Sequence, residues 1–558
     1  MSSLSEGTPP ARPAAGPDRH RWWGLVAISL GVSLIIVDST IVNVAVPSII
    51  DDLGITSSDA QWVQESYTLV FAALLLLAGR TADRLGRRRV FLTGVLVFMA
   101  ASVLAATAGS GPALIGSRLL QGVGGAMILP TSLSLINATF RGGDRGKAFA
   151  IWGSTIGGTA ALGPLLGGWL TADFSWRWAF GINIPFGLLV LGGALAFLPE
   201  SRDRSGDGGV DLPGALLSVV GFTGIVFGLI EGRTYGWWRL EQPFHALGLE
   251  LTGGLSPVPA AFAAGAVALA AFAAVEVRRN RAGRPAMLDL RLFRIPTFRN
   301  GNVVAGVVSL GEFGLLFSLP LWLQNVLGYS ALQAGVALLP LAIGSFVASG
   351  LGAVLGQRVG TVNVVIAGIA LELVGVAGVG VVAGPDTSGW AVAPFLFLYG
   401  AGVGWATAQI TGITLSDVPV EQSGQGSGIQ STARQIGSAL GIAVLGTVLF
   451  TSLESGLSDS LTSSGTPAPQ AHATARLVRD TAGSAIPALE RSPGTRPAAD
   501  RARTALSDAT SWAAYSAAAA LGLGLAAALR LRSTLPDHGR PQRPGGAPAP
   551  SPEAAGRA

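Results

Sequence analysis

Apolar runs of about 20 residues recur along the whole chain, and each is long enough to cross a hydrocarbon core roughly 30 Å thick. Because backbone groups in lipid must hydrogen-bond within their own segment, runs of this kind form helices. The sequence therefore predicts an all-α integral membrane protein. We predict fourteen transmembrane helices, near residues 22–46, 61–80, 90–109, 112–137, 147–171, 178–198, 213–233, 257–277, 300–325, 332–356, 362–383, 390–414, 427–450 and 510–531.

The composition agrees with a membrane environment. Only 12% of the 558 residues are charged, about half of what a soluble chain carries. The chain has no cysteine, which excludes disulfides and thiolate-bound metals, and we expect no metal and no cofactor. The formal charge of +5 does not indicate a nucleic-acid partner, because the basic residues lie mostly in short loops between apolar runs. The expected partners are the lipid bilayer, protons and a small amphiphilic molecule, and we expect a monomer.

The positions of the basic residues predict the orientation. With the N-terminus inside, the cytoplasmic segments contain 26 of the 37 lysines and arginines. Such a bias predicts that both termini are cytoplasmic and that the protein is a multi-pass protein of the cytoplasmic membrane.

The segment "GRTADRLGRRRV" at 79–90 is a dense charged turn between two apolar runs. Gly79 and Gly86 permit a tight turn and a close backbone approach. Asp83 is placed to pair with an arginine or with the positive N-terminal end of a neighbouring helix. Positive-inside topology alone explains the arginines, Arg84, Arg87 and Arg88 among them, but it does not explain the glycines and the aspartate at these intervals.

This turn resembles the loop signature between helices two and three of the major facilitator superfamily. Three further segments resemble signatures of its fourteen-span drug:proton antiporters: "VDSTIVNVAVPSI" at 37–49, "IGSRLLQGVGGAMILPTS" at 115–132 and "GPLLGG" at 163–168. The last is similar to the antiporter motif of the fifth helix and contains Gly163, Pro164, Gly167 and Gly168. The chain departs from that motif at Thr159, where the family usually has a glycine.

The resemblance implies a major facilitator fold, with two six-helix bundles and two inserted helices. Weak sequence similarity between the two halves of the chain supports this duplicated arrangement, since "GQRVGTVNV" at 356–364 is a degenerate copy of the charged turn. The predicted regions are an N-terminal tail (1–21), an N-terminal bundle (22–198), a central part with the inserted helices (199–299), a C-terminal bundle (300–532) and a disordered tail (533–558). Within the second bundle, 451–509 is predicted as a long extracytoplasmic loop that contains at most a short helix.

Ionisable residues inside predicted helices are functional candidates, because placing each at the membrane centre costs roughly 2.5–3.5 kcal/mol. We assign proton coupling to Asp38, Arg118 and Glu65. The resemblance implicates the fourth-helix arginine, Arg118, in proton transfer. A structural ion pair of Arg118 with Asp38 or Glu65, a buried anchoring role for Asp38 and a solvated, inert Glu65 remain as alternatives.

Candidate substrate contacts come from the second half of the chain. They are Glu312, Gln324, Arg434 and Gln435. For the polar groups of the thirteenth helix, a role limited to joining helices remains as an alternative. By internal symmetry we expect the helix that carries Glu372 at the periphery of its bundle, and we expect Glu372 there to be protonated or packed against a neighbour, not in the transport path. Ser345 occupies a position where some dication exporters have an acidic residue, which favours monovalent, zwitterionic or neutral substrates.

The predicted function is proton-coupled efflux of drugs or antibiotics by alternating access. A proton-coupled importer of a small organic solute and a narrow exporter of the host's own secondary metabolite remain as alternatives. The sequence lacks the G-x-x-x-x-G-K-[ST] motif of ATP-driven pumps. The four histidines all lie outside the predicted helices, so an enzyme is not predicted.

The predicted topology can be tested by labelling, because the natural chain has no cysteine to remove. We expect a membrane-impermeant maleimide to label Ser463→Cys in intact cells, since position 463 lies in the predicted outer loop. Ser201→Cys, in a predicted cytoplasmic segment, should react only after permeabilisation. The reverse pattern would invert the topology.

Overall fold

The structure, a computed structural model, describes residues 19–534 except 56, 203–210, 233, 247–248, 285 and 287. The predicted N-terminal tail (1–21), apart from its last residues, and the predicted disordered tail (533–558), apart from its first two, lie outside the described residues. The first bundle comprises α1 (Arg19–Leu53), α2 (Ser57–Leu85), α3 (Arg87–Ala106), α4 (Gly111–Thr139), α5 (Gly142–Asp173), α6 (Trp178–Gly181) and α7 (Asn183–Phe197).

Two inserted helices follow, α8 (Leu212–Glu231) and α9 (Pro257–Arg281). A short antiparallel hairpin between them, β1 (Phe244–Ala246) and β2 (Leu249–Leu251), was not predicted. The second bundle comprises α10 (Pro296–Asn325), α11 (Ala331–Ala337), α12 (Leu339–Val359), α13 (Thr361–Val382), α14 (Ala393–Thr414), α15 (Ser423–Ser463), α16 (Ala468–Asp480), α17 (Ile486–Glu490) and α18 (Arg496–Thr534).

Thirteen helical segments of the described chain are long and apolar enough to cross a membrane. They correspond to every predicted span except the fifth. That span falls within α5, a continuous helix of 32 residues whose side chains the structure describes in part. The all-α membrane fold is confirmed, and the count of fourteen spans stays a prediction.

The prediction that 451–509 is a long loop with at most a short helix is wrong. Most of it is helical, because α15 continues to Ser463, α18 begins at Arg496, and α16 and α17 lie between them. Leu453, Leu457 and Leu461 are buried on one face of α15. Their spacing of four residues is that of an amphipathic helix, and buried alanines of α16 and α18 complete the same core. The Ser/Thr/Ala/Pro composition concealed this periodicity.

The same tight turn precedes α3 in the first bundle and α13 in the second. Gly86 caps α3 with a φ of 111°, and Gly360 caps α13 with a φ of 90°. Only glycine adopts such angles without strain. The degenerate copy of the charged turn at 356–364 is therefore a structural repeat of the turn at 79–90.

The bundles contact each other along two seams, α5 against α12 and α2 against α15. The inserted helix α8 packs on α2 and also reaches α15, where Leu229 joins a small cluster with Ala439 and Ala443. We call the end of the molecule that carries residues 79–90 the arginine-rich end.

Close packing of α3 on α4 depends on Gly124. A Cβ atom there would lie 2.7 Å from the backbone nitrogen of Phe98 and 2.8 Å from the carbonyl oxygen of Gly94, whereas a Cβ atom at Gly116 of the same helix meets open space. We expect Gly124→Ala to lower the melting temperature, since overpacking costs about 1–3 kcal/mol. Gly116→Ala should leave it unchanged or raise it, because alanine favours helix. Equal melting temperatures of the two purified variants would contradict this packing.

Candidate functional site

A buried ion pair lies inside the first bundle. Arg118 of α4 donates from Nη1 to Oδ2 of Asp38 in α1 at 2.5 Å, and both residues are almost fully buried. Arg118 also donates from Nε to the carbonyl oxygen of Val63 at 2.9 Å. Its guanidinium carbon lies 4.4 Å from the ring centre of Tyr67, which is cation–π range. Of the two partners that the sequence allowed for Arg118, the structure selects Asp38.

Three polar residues that the sequence analysis missed complete this network. Gln121 and Asn183 donate to Oδ1 of Asp38 at 3.0 and 2.7 Å, and both also donate to the hydroxyl of Ser102. An ionised Asp38 thus receives a hydrogen bond from each of three side chains, which is how a buried carboxylate is stabilised. The detectable signal was a polar residue inside an apolar run, since Gln121 lies in the segment 115–132 and Asn183 lies in the predicted helix 178–198.

Glu65 lies outside this network. Its carboxyl group hydrogen-bonds with that of Glu231, at the end of the inserted helix α8. Two carboxyl groups share a hydrogen bond only when one of them holds a proton. Beside them Trp62 donates to the hydroxyl of Tyr235 at 3.4 Å, and burial raises the pKa of that phenol, with the two carboxyl groups adding to the effect. Glu65 is therefore half-buried and paired, not solvated.

A second charged cluster lies in the second bundle. Nη2 of Arg434 in α15 is 3.7 Å from Oε2 of Glu312 in α10, a long ion pair. Two side chains of α14 fix Glu312, because Thr407 donates to Oε1 at 3.1 Å and Tyr399 donates to the backbone carbonyl at 2.9 Å. These contacts bring together two of the four predicted substrate residues.

The other two predicted substrate residues are placed differently. Gln435 and Gln324 are both half-buried, and among the described residues neither hydrogen-bonds to Glu312 or Arg434. Gln324 follows Glu312 on α10 by twelve residues, about 18 Å along the axis. Gln324 therefore lies at a different depth from the charged cluster.

Glu372 is packed against a neighbouring helix, which is one of the two situations expected for it from the sequence. Glu372 of α13 has no exposed surface and faces the interior of the second bundle. Gly402 of α14 makes room for it, since a Cβ atom at that glycine would lie 2.6 Å from Cγ of Glu372. Symmetry places α13 away from the cavity, but it does not determine which side of the helix a residue occupies.

The charged turn joins the two bundles at the arginine-rich end. Asp83 accepts the backbone N–H groups of Gly424 and Gln425, each at 2.7 Å, in the first turn of α15. Arg87 donates to Asp83 at 2.8 Å and to the carbonyl oxygen of Val420 at 2.5 Å. Asp83 therefore uses both of the partners that the sequence allowed, an arginine and the positive end of a helix.

The other residues of the turn have separate roles. Gly79 packs against α15, where a Cβ atom would lie 3.0 Å from the Cα atom of Gly428. Arg88 stays within the first bundle and donates to the carbonyl oxygen of Leu195 at 2.7 Å. Arg84 is half-buried. Of the arginines of this turn for which contacts are described, Arg87 is the one that links the bundles directly.

Glycines of the predicted antiporter motif bring α5 close to α1. Cβ atoms at Gly163 and Gly167 would collide with Thr40 and Ile41, a short distance along α1 from Asp38. At Gly168 a Cβ atom would make ordinary contact with Leu332 of the second bundle. The structure does not describe the side chain of Pro164. The motif thus lies against the helix that carries Asp38.

The apolar helices and the two bundles define a multi-pass membrane protein of the transporter type. The crystal structure of the human organic anion transporter MFSD10 is similar, with a TM-score of 0.58 at 14% identity, over 92% of this chain and 100% of that chain. At this identity the likeness shows the fold alone. The model of the Major Facilitator Superfamily matches residues 28–442. The chain belongs to the Major Facilitator Superfamily.

Curated relatives are similar over most of the chain. Puromycin resistance protein pur8 of Streptomyces alboniger is 37% identical over 438 residues, 78% of this chain and 82% of that protein. The probable actinorhodin transporter of Streptomyces coelicolor is 35% identical over 455 residues, 80% of this chain and 75% of that protein.

Closure of the arginine-rich end can be tested by cross-linking. Nδ2 of Asn137 in α4 donates to Oγ of Ser423 in α15 at 2.8 Å, so Asn137→Cys with Ser423→Cys forms a cross-linkable pair across the seam. Adding Asp83→Asn should lower the cross-linking rate about tenfold, because a hydrogen bond to a charged group contributes about 1.5–3 kcal/mol.

The matched control is Arg89→Ala. This residue belongs to the same turn, but 72% of its side chain is exposed, and it pairs with Glu200 of its own bundle. If adding Asp83→Asn left the rate of cross-linking between positions 137 and 423 unchanged, Asp83 would not be the residue that holds the seam closed.

Proposed function

We propose that this protein exports amphiphilic organic compounds, antibiotics among them, across the cytoplasmic membrane in exchange for protons. The observation that carries the proposal is the buried Asp38–Arg118 pair in the first bundle, which is separate from the Glu312–Arg434 pair in the second. Two charged clusters in opposing bundles let protons and substrate act on different halves of one molecule. The puromycin resistance of a relative 37% identical supports a drug as the substrate.

Asp38 and Arg118 carry the coupling in this proposal. A proton on Asp38 neutralises its carboxylate and weakens the charge-assisted bonds from Arg118, Gln121 and Asn183. These donors come from α4 and α7, so protonation loosens α1 from both helices. An inward proton gains about 2.3 kcal/mol per 100 mV of membrane potential, and this supplies the work of switching.

The seam at the arginine-rich end acts as the gate on the cytoplasmic side. Asp83 and Arg87 close it here, and the arginine bias supports a cytoplasmic position for this end and for both termini. Glu65 takes part in proton entry with Glu231 as its partner. Glu312, Arg434, Gln435 and Gln324 contact the substrate, and the protein works as a monomer without enzymatic activity.

A second candidate function is export of a single secondary metabolite made by the host. The similarity to a probable actinorhodin transporter favours it. A panel of substrates separates the two functions, because a narrow exporter responds to one chemical scaffold and a multidrug pump to several.

Proton exchange can be measured in everted vesicles that contain this protein. After energisation, addition of puromycin, ethidium and other antibiotics one at a time should release protons from the lumen, as reported by a pH-sensitive dye. We expect Asp38→Asn to abolish this release, because the buried carboxylate that binds the proton is absent.

The matched control, Asp52→Asn, alters another aspartate of α1. Hydrogen bonds from Arg177 and Trp176 hold the pKa of Asp52 below its usual value, so Asp52 stays ionised at neutral pH and binds no proton. This variant should retain release. Full release in Asp38→Asn would refute the role of Asp38.

A further inference from the structure

Glu372 is the most completely buried acid of the second bundle, and the proposed function gives it no role. Its side chain has no exposed surface, and neither carboxyl oxygen has a hydrogen-bond partner in the described part of the chain. An ionised carboxylate without donors is very unfavourable in such a place, whereas a neutral carboxylic acid costs far less. Burial without donors therefore favours the neutral, protonated form of Glu372.

The groups that face Glu372 explain how this proton could be released. Glu312 of α10 and Arg434 of α15 both lie close enough to act on it electrostatically. Tyr399 of α14 is the other titratable group nearby. On α18, Tyr515 packs against Gly380 of α13, about two turns further along the helix.

The cluster contains two acids and one base. With Arg434 paired to Glu312 and a proton on Glu372, its net charge is zero. Arg434 is loosely held, because its ion pair with Glu312 measures 3.7 Å and a fifth of its side chain is exposed. It makes no hydrogen bond to any residue that the structure describes.

We propose that Glu372 carries an exchangeable proton, which a monovalent organic cation releases by binding at Glu312. The cation takes over the charge of Glu312, and Arg434 moves to Glu372. The O–H bond of the Glu372 carboxyl group breaks, and its proton leaves to water on the exposed side of Arg434. One positive charge enters and one leaves, so the cluster is neutral before and after.

This inference rests on the proposed export and adds a substrate class to it. It also gives the second bundle a proton-binding residue, separate from Asp38 of the first bundle. The buried hydroxyl of Ser345, where some dication exporters have an acid, agrees with a single positive charge on the substrate.

Infrared difference spectroscopy of the purified protein in lipid detects the proton directly, without transport. At pH 7 the wild type should show a carboxylic-acid carbonyl band that Glu372→Gln lacks. Glu312→Gln should also lose that band, because Arg434 then has Glu372 as its one acidic partner and keeps it ionised. Each variant replaces a carboxyl group by an amide of the same shape, and monodisperse elution confirms folding.

The cation probe is tetraphenylphosphonium. At saturation it should remove the Glu372 band from the wild type and release protons into weakly buffered solution. Glu372→Gln should bind the probe and release about one proton fewer per molecule bound.

An unaltered spectrum in Glu372→Gln overturns the proposal, and so does a band that persists in saturating tetraphenylphosphonium. Failure of the wild type to bind the probe overturns the cationic substrate class. Proton export through Asp38 is judged separately, by the vesicle flux of Asp38→Asn. If Asp38→Asn loses the proton flux but the wild type shows no infrared band from Glu372, only the inference about Glu372 is refuted. If the wild type shows the Glu372 band but Asp38→Asn retains the proton flux, only the role of Asp38 is refuted.

Discussion

The hydrocarbon core provides no water, and this constraint governs the rest of the structure. Every backbone group must bond inside its own helix, and every charge must find a partner or a proton. The first requirement yields long helices that pack through glycines, as at Gly124 and Gly402. The second requirement explains why the buried charges occur as clusters and not singly.

Three of these clusters lie between different helices. Asp38 and Arg118 connect α1 with α4, Glu312 and Arg434 connect α10 with α15, and Asp83 with Arg87 connects the two bundles. Each acid is held by hydrogen bonds or an ion pair that loss of its negative charge would weaken. Because these acids lie at contacts between helices, protonation of an acid weakens the contact between two helices. Exchange of protons for a substrate requires such a link between protonation and the shape of the molecule.

The inserted helices are also more than a linker between the bundles. Through Glu231, α8 shares a hydrogen bond with Glu65 of α2, and through Leu229 it contacts α15. It thus contacts the two helices that form one of the seams between the bundles. In the proposed mechanism, an insertion in this position responds to opening and closing of that seam.

The sequence by itself determined the class of fold, the approximate helix positions and the principal charges of the site. Apolar length and isolated charges are local properties, so Asp38, Arg118 and Asp83 could be recognised without any structure. Only the tertiary structure decided which groups meet: Asn183 and Ser102 at Asp38, Glu231 at Glu65, and Glu372 near Glu312. Such pairings depend on how each helix is rotated against its neighbours, and helices hydrophobic on nearly all sides carry little periodic signal to fix that rotation. The amphipathic part of α15 beyond residue 450 does carry that signal, although its Ser- and Thr-rich composition is typical of a loop.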